Sequence, residues 1–186
     1  MEMLKKKHMV FNTKEDRFIN RSSFLLYYIN KTIMTRFEVI GELKEYFDIK
    51  ELVSEQVYKK YKERAWSFFS IELLETLLVL RRDILQCPMI INNWFNKGSY
   101  SQRGLRCNMD PIVKEKITIY LGAHCLGQGL DFHTNKYSPS ECRKIIKEKQ
   151  DLLPYAIRLE DDKSAPTWVH FDVCNITEDK VMEFSA

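Results

Sequence analysis

One stretch constrains the fold more than any other: Leu121-Gly122-Ala123-His124-Cys125-Leu126-Gly127-Gln128-Gly129-Leu130-Asp131-Phe132-His133, which holds three of the chain's six glycines. On a straight helix His124 and Asp131 would stand roughly 10 Å apart along the axis. Glycines at this density instead let the backbone turn back on itself and bring the two side chains to one point. Beyond the turn, alternation sends Leu130 and Phe132 into a core, while Asp131 and His133 face the other way.

A second alternating run, Trp168-Val169-His170-Phe171-Asp172-Val173, has the same logic. Val169, Phe171 and Val173 make a core face. Trp168, His170 and Asp172 share the opposite face, so a histidine and a carboxylate lie side by side next to an indole. Two histidines and one carboxylate are a familiar three-ligand set for a catalytic zinc ion with a fourth position open. Each residue also has a plainer reading. A lone strand histidine is usually structural or exposed, an Asp after glycines is usually a turn residue, and Cys125 beside His124 reads as a small buried side chain.

The rest of the chain supplies the frame. Residues 1–33 lack a clear period and are expected to be an extension of uncertain order, with residues 34–186 as a single domain. Ile49, Leu52, Val53, Val57 and Tyr61 recur at helical spacing behind a cap at Asp48, and a second helix is expected from Ser70 to about Leu85. Met89-Ile90-Ile91 reads as a short strand, and Asn92 to Asp110 as a long polar loop. A helix starts at Ser138, with Pro139 in its first turn and Glu141 completing a capping box. Tyr155–Glu160 and Trp168–Val173 read as strands joined through the charged turn Asp161–Ala165, and Val181–Phe184 as a last one. Helices first and strands later point to an α+β domain, with N-terminal helices packed on a small antiparallel sheet that carries the site.

Composition narrows the partners. A formal charge of +3 is too small to argue for nucleic acid. Five cysteines, an odd number with no CxxC pair, suggest neither a disulfide framework nor a thiolate zinc site. The apolar run Phe24 to Tyr28 is too short for a signal-peptide core or a membrane span. Synthesis in a reducing cytoplasm, as a monomer, is expected.

Taken together, these segments resemble the zinc D-alanyl-D-alanine carboxypeptidase and L-alanyl-D-glutamate endopeptidase family, whose fold is shared with the hedgehog signalling domain and which includes many phage lysins. The resemblance rests on His124, Gly127 and Asp131 at the family's spacing, followed by Trp168-Val169-His170, and it spans roughly residues 70 to 186. It is nearest to phage or prophage members that end in a Trp-x-His-x-Asp strand. It implies one zinc ion on His124, Asp131 and His170. It also implies an upstream arginine, with Arg103 in Gly98-Ser99-Tyr100-Ser101-Gln102-Arg103 as one match and Arg106 as a competing one. Peptidoglycan stem peptides are the implied substrates, with Tyr100 and Trp168 as cleft walls. The protein would reach the wall after release by another factor, or as part of a virion.

One departure stands out. Many members carry an acidic general base three residues before the last ligand, where this chain has Thr167. Asp172, on the face of His170, is the expected substitute; its other possible role is to orient the histidine. Glu160, at the end of the preceding strand, stands behind it. The alternative to an active enzyme is a zinc-binding virion or wall-binding component that keeps the ligands without the chemistry.

Overall fold

A computed structural model describes residues 34–185; the expected N-terminal extension, residues 1–33, lies outside them. Helix α1 (Arg36–Leu43) leads to a short α2 (Ile49–Leu52), whose first turn is closed by a capping box between Asp48 and Glu51. The single helix expected from Asp48 to Tyr61 is in fact two. Val53 is extended and bridges Leu105, the amide of Ser54 donates to the Leu105 carbonyl at 2.9 Å, and Ser54 then caps α3 (Glu55–Tyr61). A distant loop thus outcompetes a continuous helical period.

Helix α4 (Ile71–Val79) starts at its Ser70 cap and runs into a wide turn, Leu80–Ile84, closed by the Leu85 amide on the Leu80 carbonyl. Leu73, Leu74, Leu77 and Leu80 are fully buried, and α1 packs against α4. A one-turn α5 (Pro111–Lys114) interrupts the long loop that follows.

The sheet is built from β1 (Gly129–Phe132), β2 (Ile157–Glu160), β3 (Val169–Asp172) and β4 (Val181–Phe184), in the order β1-β3-β2-β4. β3 is antiparallel to both β1 and β2, but β4 runs parallel to β2, so the sheet is mixed rather than antiparallel. Met89-Ile90-Ile91 adds no strand. Only Ile90 pairs, exchanging both backbone bonds with His133 at the end of β1.

Helix α6 (Pro139–Glu148), with the Ser138–Glu141 capping box in place, lies against β3 and the Leu80–Ile84 turn, coupling the sheet to the helices. Phe132 and Phe171 meet edge to face in the core, at 6.1 Å between centroids. α6 also buries Arg143 completely. Its guanidinium donates to the carbonyls of Glu160, Ala165 and Trp168 and to the Asp162 carboxylate, at 2.6 to 2.8 Å. All of these partners belong to the β2–β3 hairpin, so one buried cation fixes the shape of that turn. No helix among the described residues is long and apolar enough to cross a membrane.

Candidate metal centre

Asp131 on β1 and His170 on β3 are direct partners in the antiparallel register, and side chains so placed share one face. Leu130, Phe132, Val169 and Phe171 fill the other face and are buried. Strand pairing alone therefore brings together two of the residues that alternation selected.

His124 arrives from the loop. The amide of Cys125 returns to the Gly122 carbonyl at 2.8 Å, and that of Gln128 to the Ala123 carbonyl at 2.9 Å, so the chain doubles back. Gly127 has φ +65°, and a Cβ there would lie 2.2 Å from the Phe68 carbonyl oxygen. A Cβ at Gly129 would lie 2.8 Å from that of Ala123. Only glycine permits both the turn and the close approach.

The three side chains converge. His124 Nε2 is 3.3 Å from both His170 Nδ1 and Asp131 Oδ1, and His170 Nδ1 is 2.7 Å from Asp131 Oδ1. Donors on a tetrahedral ion with bonds of about 2.0–2.1 Å lie about 3.3 Å apart, so two edges of the triangle already fit and the third must open slightly. The residues are 6%, 8% and 8% exposed. Among the described residues this is the group of histidines, cysteines and carboxylates able to hold a metal ion.

Each member is also held from behind. His124 Nδ1 lies 3.0 Å from the Gly104 carbonyl, which fixes that nitrogen as the donor and leaves Nε2 free to ligate. His170 Nε2 is 3.1 Å from Asp172 Oδ2, which leaves Nδ1 facing the cluster. Asp131 Oδ2 accepts from Arg106 Nη2 at 3.2 Å, leaving Oδ1 for a cation. Metal-binding histidines characteristically have such outer partners.

The electrostatics follow from this packing. Burial drives the His124 pKa down. Burial also opposes a charge on His170, but its hydrogen bonds to Asp131 and Asp172 outweigh that and raise its pKa to about 9. Burial works against ionised Asp131 as well, yet the two imidazoles hold its carboxyl well below the usual range.

The remaining expected residues fall into separate roles. Asp172 is fully buried and uses both oxygens: Oδ1 accepts from Arg158 Nε and the Cys174 amide, Oδ2 from Arg158 Nη2 and His170. Arg106 is bonded to Asp131 and to the Gln102 carbonyl. Arg103 stacks on Tyr100, with 3.7 Å from its guanidinium carbon to the ring centroid, and bonds His133 Nδ1 at 2.7 Å. Its carbonyl accepts from the Asp131 amide. Trp168 is partly exposed ahead of β3 and gives its carbonyl to Arg143, and Thr167 is exposed.

Sequence reasoning did not single out Arg158, which grips Asp172 and lies over the Phe184 ring. The alternation Ile157-Arg158-Leu159-Glu160 carried the signal, because it puts a cation on the face where Asp172 lies. Compared with protein-family models, curated proteins and solved structures, the chain gave no match.

Proposed function

We propose that the chain is a zinc-dependent peptidase acting on the stem peptides of bacterial peptidoglycan, with His124, Asp131 and His170 holding one zinc ion. The observation that carries this reading is the triangle of three donors, each held from behind by a partner that leaves its ligating atom turned toward the other two. Two imidazole nitrogens and one carboxylate oxygen suit zinc, and three protein ligands rather than four are the mark of a catalytic site. When bound, the ion supplies Lewis acidity, polarising a carbonyl and making water a nucleophile near neutral pH.

The chain's own residues do the rest. Arg158 and Asp172 hold His170 in one orientation. Arg106 holds Asp131. Arg103 has no carboxylate partner among the described residues; braced by Tyr100 and His133, it suits a substrate carboxylate, and stem peptides carry several. The resemblance to the carboxypeptidase and endopeptidase family, carried by the order and spacing of the ligands, supplies the substrate class. In that setting the protein acts on the wall after release by another factor, or from a virion.

A second reading, a zinc-stabilised virion or wall-binding component without activity, draws on Thr167 at the family's usual acidic position and on the full engagement of Asp172. One experiment separates the two: measure zinc per chain, and incubate the protein with defined stem peptides before and after chelation, beside H170A. About one zinc with chelator-sensitive cleavage supports the peptidase. Zinc without cleavage supports the structural component.

A further inference from the structure

With Thr167 exposed and Asp172 fully engaged, the peptidase reading lacks a proton acceptor, and the sheet offers one. Asp131 pairs with His170, and Arg158 and Leu159 pair with Asp172 and Phe171. One further step along that antiparallel ladder sets Glu160 opposite His170, and Glu160 in turn pairs with Phe184 on β4. Asp131, His170, Glu160 and Phe184 thus form one row across four strands on the site face, with neighbours about 4.8 Å apart in the pairing direction. The Phe184 ring, 5.9 Å from that of His170, closes the row on the far side.

Glu160 is only 8% exposed, yet its carboxylate enters no hydrogen bond or ion pair among the described residues. Its backbone carbonyl is pinned by Arg143 Nε at 2.6 Å, so the side chain leaves from a fixed point. Asp131 and Asp172, by contrast, have both oxygens engaged. The Glu160 oxygens are not among the buried, unsatisfied polar atoms of the described residues, so a sheltered and unpaired carboxylate beside His170 is still within reach of water, as a proton acceptor for water must be.

We propose that Glu160, one strand over from His170, is the proton acceptor of this site. The inference rests on the peptidase reading. As the water oxygen bonds to the scissile carbonyl carbon, its O–H bond breaks and the proton passes to a Glu160 Oε. When the C–N bond then breaks, the same proton passes to the departing amine nitrogen. Glu160 returns to its carboxylate form, and one water is consumed per peptide bond cleaved.

The test compares wild type with E160Q and E160D, each assayed for zinc per chain, stem-peptide cleavage and acetohydroxamate binding to the cobalt(II)-substituted protein. E160Q should keep its metal and a KM near that of wild type while kcat falls about 10²–10⁴-fold, with partial recovery in E160D. Hydroxamate, which donates a hydrogen bond to an acceptor beside the metal, should bind E160Q about tenfold more weakly, a change read from the cobalt absorption bands. Wild type that holds metal but cleaves nothing would sink the peptidase reading, and hydroxamate binding then decides Glu160 alone. Unchanged hydroxamate affinity, unchanged kcat or loss of metal in E160Q would each overturn the assignment.

Discussion

The two halves of the candidate metal centre are built by different physics. Asp131, His170, Asp172 and Arg158 sit on β1, β3 and β2, where register fixes which side chains meet. His124, Gly104, Arg103 and Arg106 sit on irregular chain, placed by individual contacts: the Arg106 amide on the His124 carbonyl at 3.2 Å, the Leu105 amide on Leu52 at 2.8 Å and the Asp131 amide on Arg103 at 2.8 Å. A ladder shares its load among many bonds, whereas a loop held by single bonds depends on each of them. Substitutions on the sheet should therefore alter the ligands' environment, and substitutions in the loop should alter whether His124 arrives at all.

The largest effect expected is that of ligand removal. H124A and H170A should both abolish stoichiometric metal binding, measured as metal per chain. Unequal residual binding would show which half of the site holds the ion more firmly. Next, R143M should cost about 3–5 kcal/mol of stability in urea unfolding, because three buried hairpin carbonyls lose their donor. That loss would confirm that the sheet half depends on a pin outside the sheet. D172N, which keeps the shape but weakens the grip on His170, should reduce metal affinity about 10–100-fold in competition with a chelator. On the loop side, G127A should destabilise by about 1–3 kcal/mol, since φ +65° and the Phe68 carbonyl both oppose a side chain, and should weaken metal binding with it.

The smallest effect is a matter of pH at the hairpin. The Ser185 hydroxyl and the Ser164 amide hold the Asp161 carboxyl down to about 2. A folded pKa below the unfolded value of about 3.9 contributes stability that is present above that value and lost as pH falls through about 2. The stability gap between wild type and D161N in urea titrations should accordingly be constant near neutrality and close in strong acid.

The same contrast explains what the sequence disclosed. Period-two alternation exposed the sheet half directly, because a strand's faces are a local property: Leu130 and Phe132 inward, Asp131 outward, and likewise for His170 and Asp172. His124 was legible only through its glycines, which signal a turn without saying what the turn meets. The break at Val53–Ser54 was hidden because it depends on Leu105, and the parallel course of β4 because strand direction follows from the connection at 173–180 rather than from Val181–Phe184 itself. Nothing local marks Arg143 for burial, because its burial reflects carbonyls more than fifteen residues away.

Anomalous diffraction at the zinc edge, from crystals of the metal-loaded protein, tests the centre most directly. One strong peak is expected at about 2.0–2.2 Å from His124 Nε2, His170 Nδ1 and an oxygen of Asp131, with Asp172 still bonded to the far nitrogen of His170. A peak at other residues, or none with all three side chains ordered, would contradict this assignment of the ligands.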